Sequence, residues 1–180
     1  MRKSNDIIKK ILITGNPGVG KTTLIHNLIS KLNISAGGFY TLEMLDEKGN
    51  RWGFKIVSLN GTEGVMASVD IEGKNRISRY GVDVEVIDRI GVSAVKEALK
   101  HSEIIVIDEI GRMELFSRRF QDVVMESLDS PKILLGTITA KDNTFTKKIK
   151  EMQDIKIVTL TRQNFNEIET YLERLLTLST

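Results

Sequence analysis

The run Gly15-Asn16-Pro17-Gly18-Val19-Gly20-Lys21-Thr22-Thr23 fits the pattern G-x-x-x-x-G-K-[ST], and few folds can carry it. Before it lies Ile11-Leu12-Ile13, a short apolar run of buried-strand type. After it, Leu24, Ile25, Leu28, Ile29 and Leu32 recur at helical spacing. A strand that turns through glycines into a helix aims backbone N–H groups and the positive helix end at one point. A phosphate tail has the charge to match. The glycines let its oxygens approach the backbone without a Cβ in the way. Lys21 adds a mobile cation for the β- and γ-phosphates, Thr22 offers a hydroxyl to Mg²⁺, and Thr23 offers another near the α-phosphate. All residues from Gly15 to Thr23 are therefore expected to contact nucleotide.

A second segment completes the chemistry. Ile104-Ile105-Val106-Ile107 is a continuous β-branched run ending in Asp108-Glu109. A buried strand can set its last carboxylate beside the phosphate loop, so Asp108 is expected to bind Mg²⁺ with Thr22. Glu109 follows at the strand tip, where it is expected to orient a water for attack on the γ-phosphorus. Lys21, Glu109 and Arg112 form the expected catalytic set. Arg112 is placed to reach phosphate oxygens in the transition state, and Glu114 to orient a neighbour or a water. Thr137, near a strand end, is a candidate sensor of the γ-phosphate. Arg76 and Arg79, with Tyr80 in a polar segment, are candidates for a lid over the nucleotide. His26 and His101 are expected at the surface, and Trp52 and Phe54 in the core.

The rest of the chain sets the architecture. A hairpin is expected from Gly38 to Ile56, since Trp52, Phe54 and Ile56 alternate with Arg51, Gly53 and Lys55. Loops and short strands are expected between Asn60 and Asp83, and a helix from Val84 to Leu99. Ser117 reads as the N-cap of a helix reaching Leu128. Ile133 to Ile138 and Ile155 to Thr159 read as strands. Phe145 to Met152 and Phe165 to Leu176 read as helices. Strands alternating with helices imply a mostly parallel sheet covered on both faces. The fold class is α/β, a three-layer P-loop NTPase domain with an antiparallel hairpin. A hairpin and a helix lie between the phosphate loop and the acidic strand. That favours the RecA/kinase-like additional-strand branch, with one strand between those two.

Composition removes other classes. With 180 residues, a single domain over 1–180 is expected. The 26 basic and 24 acidic side chains leave a net charge of +2, which gives no electrostatic case for nucleic acid or membrane as a partner. The absence of cysteine excludes disulfides, thiolate catalysis and cysteine-bound zinc. Lys9 and Lys10 interrupt the apolar start, which reads as a strand rather than a leader. A cytoplasmic monomer is expected.

The GNPGVGKTTL and IDEIGRMELF segments, with GGFYTLEM, RWGFKIVSL, SRYGVDVE, ILLGTI and TRQN in that order, carry a specific resemblance. The chain resembles the thermophilic-type, or cancer-related, nucleoside triphosphatases from roughly Lys10 to Leu172. The resemblance implies slow, Mg²⁺-dependent release of phosphate from ATP, GTP and other nucleoside triphosphates. Three positions depart from that family's pattern: Asn16 stands in place of Pro, Arg112 in place of Lys, and Phe165 in place of Arg. An Asn-Lys-x-Asp segment for reading guanine is absent, which implies loose base preference. Two other readings stay open on the residues themselves. One is a nucleotide- or nucleoside-type small-molecule kinase, with Arg76, Arg79 and Arg89 holding an acceptor. The other is a regulatory module for which hydrolysis is a timer.

Overall fold

The computed structural model describes residues 8–32 and 34–178. The chain begins with β1 (Lys10–Thr14), the phosphate loop and α1 (Lys21–Lys31). The antiparallel strands β2 (Ala36–Leu45), β3 (Arg51–Ser58) and β4 (Glu63–Ser68) follow. A short hairpin of β5 (Arg76–Ile77) and β6 (Tyr80–Val82) comes next. One continuous helical stretch then runs as α2 (Val84–Val86), a π-helical segment (Ile87–Val92) and α3 (Ser93–His101). Then come β7 (Ile104–Ile110), a 3₁₀ turn (Glu114–Phe116), α4 (Arg118–Asp129) and β8 (Ile133–Ile138). The chain closes with α5 (Thr144–Lys150), β9 (Ile155–Thr159) and α6 (Phe165–Thr177).

All the strands join one sheet in the order β5-β6-β4-β3-β2-β7-β8-β1-β9. The half β2-β7-β8-β1-β9 is parallel. β8 lies between the loop strand β1 and the acidic strand β7, as the additional-strand branch requires. The other half is antiparallel and reaches beyond the expected hairpin, because segment 60–83 supplies β4, β5 and β6.

The apolar run of β7 splits between two faces, because successive side chains of a strand point opposite ways. Ile104 and Val106 join Ile11, Leu24, Leu28 and Leu172 on the side of α1 and α6. Ile105 and Ile107 join Phe39, Val95, Phe120, Val124 and Ile149 on the side of α3, α4 and α5. β7 therefore reads as continuously apolar because helices cover both sides of it.

The helix expected from Val84 forms, but its middle is π-helical. Gly91 lies there, and a Cβ on it would come 2.7 Å from Ile56 Cδ1, so the wide turn packs its backbone against β3.

Candidate active site

The phosphate loop takes its shape from backbone that L side chains avoid. Gly18 has φ +74° and Gly20 +101°, and Gly20 caps α1 in the left-handed region. No side chain caps α1, which leaves the N–H groups of its first turn facing the cavity above the loop. By contrast Ser117 caps α4 as expected, and Asn143 caps α5. Lys21 Nζ donates to Gly15 O at 2.9 Å and Asn16 O at 3.2 Å, which holds the ammonium over the loop. Val19 is the one loop residue that does not line the cavity; its side chain packs into the α1/α6 core, leaving only its backbone for a ligand.

Asp108 is fixed from two elements. Thr22 Oγ1 donates to its Oδ2 at 2.5 Å, and Thr137 Oγ1 donates to its Oδ1 at 2.5 Å. The local cause lies in β7. Its register with β8 runs Ile107↔Gly136 and then Ile110↔Ile138, so Asp108 and Glu109 sit in a bulge. A bulge re-aims side chains next to a site. Here Asp108 is buried between the two threonines, while Glu109 lines the cavity. Burial raises the Asp108 pKa against the pull of both hydroxyls and Lys21. Burial also raises that of Glu109, opposed by Lys21 and assisted by the Asp108 charge.

Thr137 is fully buried with its hydroxyl spent on Asp108, so it is a positioning residue rather than the γ-phosphate sensor the strand end implied. Glu114 is enclosed behind the site, and its pKa is pushed up to about 8, first by burial and then by the Glu109 and Asp108 charges. A Cβ on Gly111 would lie 2.7 Å from Glu114 Oε2 and 2.8 Å from Glu109 Oε1, so a side chain there would push the two carboxyls from their places. Neither contact was legible in the sequence, where the residues of DEIGRME carry expected roles but not their distances from one another. Arg112 is exposed and lines the same cavity.

Several expected roles are not met. Arg76 donates to Ile71 O and Arg79 O, and Arg79 to Arg51 O and the Tyr80 hydroxyl. They tie the β5–β6 hairpin down instead of forming a lid. Neither they nor Arg89 line the cavity. His26 is half-buried, edge-on to Tyr40 with ring centroids 4.5 Å apart, because α1 lies across β2. Phe54 is half-buried and lines the cavity instead of filling the core. Trp52 is also half-buried, with its indole N–H bonded to Asp70. Phe165 packs its ring beside Gly20, where a Cβ would meet it at 3.0 Å.

Thr22 and Asp108 present hard oxygen donors side by side, which fits a small divalent cation that takes its other ligands from phosphate and water. Among the described residues no group of three or more His, Cys, Asp or Glu side chains forms a metal cage. Among the same residues no helix is long and apolar enough to cross a membrane.

The family model for NTPase matches residues 10–172. The nucleoside-triphosphatase THEP1 of Thermotoga maritima is 45% identical over 159 residues, 88% of this chain and 90% of that one. The human cancer-related nucleoside-triphosphatase is 36% identical over 176 residues, 89% of this chain and 92% of that one. The crystal structure of THEP1 from the hyperthermophile Aquifex aeolicus superposes with a TM-score of 0.83 at 32% identity, covering 91% of this chain and 96% of that one.

Proposed function

The chain belongs to this nucleoside-triphosphatase family, and from that premise we propose that it is a Mg²⁺-dependent phosphohydrolase of broad base specificity. It would turn a nucleoside triphosphate into the diphosphate and inorganic phosphate, as a cytoplasmic monomer of one domain. The observation that carries this reading is the Thr22–Asp108–Thr137 chain of hydrogen bonds, which pins a carboxylate at the phosphate loop and leaves Glu109 beside it.

The γ-phosphate end lies under Lys21 and the uncapped start of α1, where a cation and helix N–H groups meet the charge that grows on the leaving oxygen. A bound Mg²⁺ would supply charge neutralisation to the phosphate tail, with Thr22 and Asp108 as the residues that would hold it. Glu109 accepts a hydrogen bond from the attacking water and takes its proton. Its raised pKa makes it a stronger base than an exposed carboxylate. Arg112 reaches the transferring phosphoryl group from solvent. An arginine that must be ordered from solvent stabilises the transition state less than a fixed one, which favours slow turnover.

The β9–α6 turn, beside Gly20, is the side where a base extends. There Asn164 spends its amide within the turn, accepting from Thr161 N and donating to Thr159 O. Asn164 is therefore not free to select a base.

Phosphate release from ATP, GTP, CTP and UTP with Mg²⁺ tests the reading. Wild type is expected to turn over several of them. Glu109→Ala is expected to keep nucleotide binding and lose about 10² to 10⁴ in kcat, the usual size of general-base catalysis. Unchanged turnover in Glu109→Ala removes Glu109 as the base. Nucleotide binding without any phosphate release in wild type removes the hydrolase reading.

A further inference from the structure

The cavity over the phosphate loop measures about 720 Å³ and does not stop at Glu109. It runs on over the antiparallel half, where Leu42 of β2, Phe54 of β3, Met66 of β4 and Ile77 of β5 line it together with Met113 from the loop after β7. Sheet order fixes which side of the nucleotide this is. From β1 the order runs through β8 to β7, and then through β2 and β3 to β4. A triphosphate anchored after β1 ends its γ-phosphate near Asp108, at the tip of β7. At about 4.8 Å per strand, the tips of β3 and β4 lie roughly 10 to 15 Å further on. This lobe therefore opens beyond the γ-phosphate, opposite the end that holds the base, and water activation does not require it.

Its chemistry narrows the occupant. Flat and flexible apolar groups form the wall: the Phe54 ring, which also meets Tyr80 edge-on, and two methionines. The arginines of the antiparallel half are already engaged, while Arg112 and Lys141 line the cavity from the loops after β7 and β8. Arg51 is ion-paired with Glu43 and lies 5.5 Å from the Phe54 ring centroid. Arg76 and Arg79 hold backbone carbonyls. An acceptor that already carries a phosphate would find from the antiparallel strands only Arg51, which Glu43 already pairs, whereas a neutral ring compound would find apolar walls. Of the carboxyls that line the cavity, Glu43, Asp108, Glu109 and Glu114, Glu109 is the one assigned above to take a proton.

We propose that this lobe is an acceptor site for a neutral, hydroxyl-bearing ring compound of the nucleoside class, which takes the γ-phosphoryl group in competition with water. The inference rests on the reading of the phosphate loop and Glu109 given above. In the step, the acceptor hydroxyl oxygen bonds to the γ-phosphorus. The bond from that phosphorus to the β,γ-bridging oxygen breaks. The diphosphate leaves with the electron pair, and the hydroxyl proton passes to Glu109.

The test follows γ-labelled ATP with Mg²⁺ and adenosine, guanosine, cytidine, uridine or thymidine, separating free phosphate from labelled nucleoside monophosphate. Saturation-transfer NMR on the same nucleosides reads binding without turnover. At least one nucleoside is expected to bind and to become phosphorylated. Leu42→Trp at the exposed rim and Ile77→Trp at the wall both fill the lobe. Each is expected to cut the share of label reaching the nucleoside by about tenfold or more, the scale on which pocket fit discriminates. Phosphate release with no nucleoside phosphorylated overturns the acceptor site and leaves the hydrolase reading standing. Neither product overturns both. A nucleoside product whose share both variants leave unchanged overturns the placement in this lobe.

Discussion

Asp108 is a buried carboxylate whose two oxygens each accept one hydroxyl, and its position depends on both donors. Thr137→Val keeps the shape and deletes one of them. A hydrogen bond to a charged group contributes about 1.5 to 3 kcal/mol, so this variant is expected to lose about that much in Mg²⁺-nucleotide affinity. Calorimetric titration with a non-hydrolysable analogue checks it, and unchanged affinity would make Thr137 mere packing. Glu114 makes a different prediction. Folded, it holds its proton to about pH 8; unfolded, it releases it near 4.5. Between those values the folded chain binds more protons, so the group's contribution is fully present below pH 4.5 and lost as pH rises through 8. Glu114→Gln removes this dependence. The stability advantage of wild type over the variant is therefore expected to shrink from pH 5 to pH 8 in urea unfolding. Parallel profiles would contradict the burial argument. At this scale the motif residues were legible, because phosphate chemistry dictates their types. The contacts of Thr137 and Gly111 were not, because their partners are 29 positions away along the chain or meet only through a turn.

At the scale of elements, α4 shows how a helix end is tied to the site. Ser117 accepts from Phe120 N at 2.9 Å and donates to Asp88 in the π-helical segment. One hydroxyl thus caps α4 and docks it to the antiparallel half. Ser117→Ala is expected to cost about 0.5 to 2 kcal/mol, the range of a lost N-cap. Thermal melts would read it, and a loss near zero would mean that water replaces the cap. The helices read correctly where apolar residues recur at 3.6 spacing. The Asn60 to Asp83 segment was legible as loops and short strands but not in its pairing, since two of its strands are fixed by pairing with each other and with β4. The π-helical turn was equally hidden, because Gly91 against Ile56 is a contact between distant segments.

Over the whole molecule, two apolar layers clamp one sheet, and Phe120 is among the largest fully buried side chains. Phe120→Ala is expected to cost about 3 to 5 kcal/mol through lost burial and the cavity left behind. Denaturant unfolding checks this. Mg²⁺-ATP analogue at 100 times its Kd should return about 2.7 kcal/mol to wild type by linkage, and far less to Lys21→Ala. The sequence by itself determined that the chain is a layered α/β domain with a phosphate loop and an acidic strand. Apolar periodicity reports burial, and the residue types of a phosphate site answer to local chemistry. Only the tertiary structure decided that β8 is the strand filling the place expected between β1 and β7, that a bulge sets Asp108 and Glu109 apart, and that the cavity continues past the γ-phosphate. Those features arise from strand order and register, which depend on how remote segments pair and leave little trace in the spacing of residues along the chain.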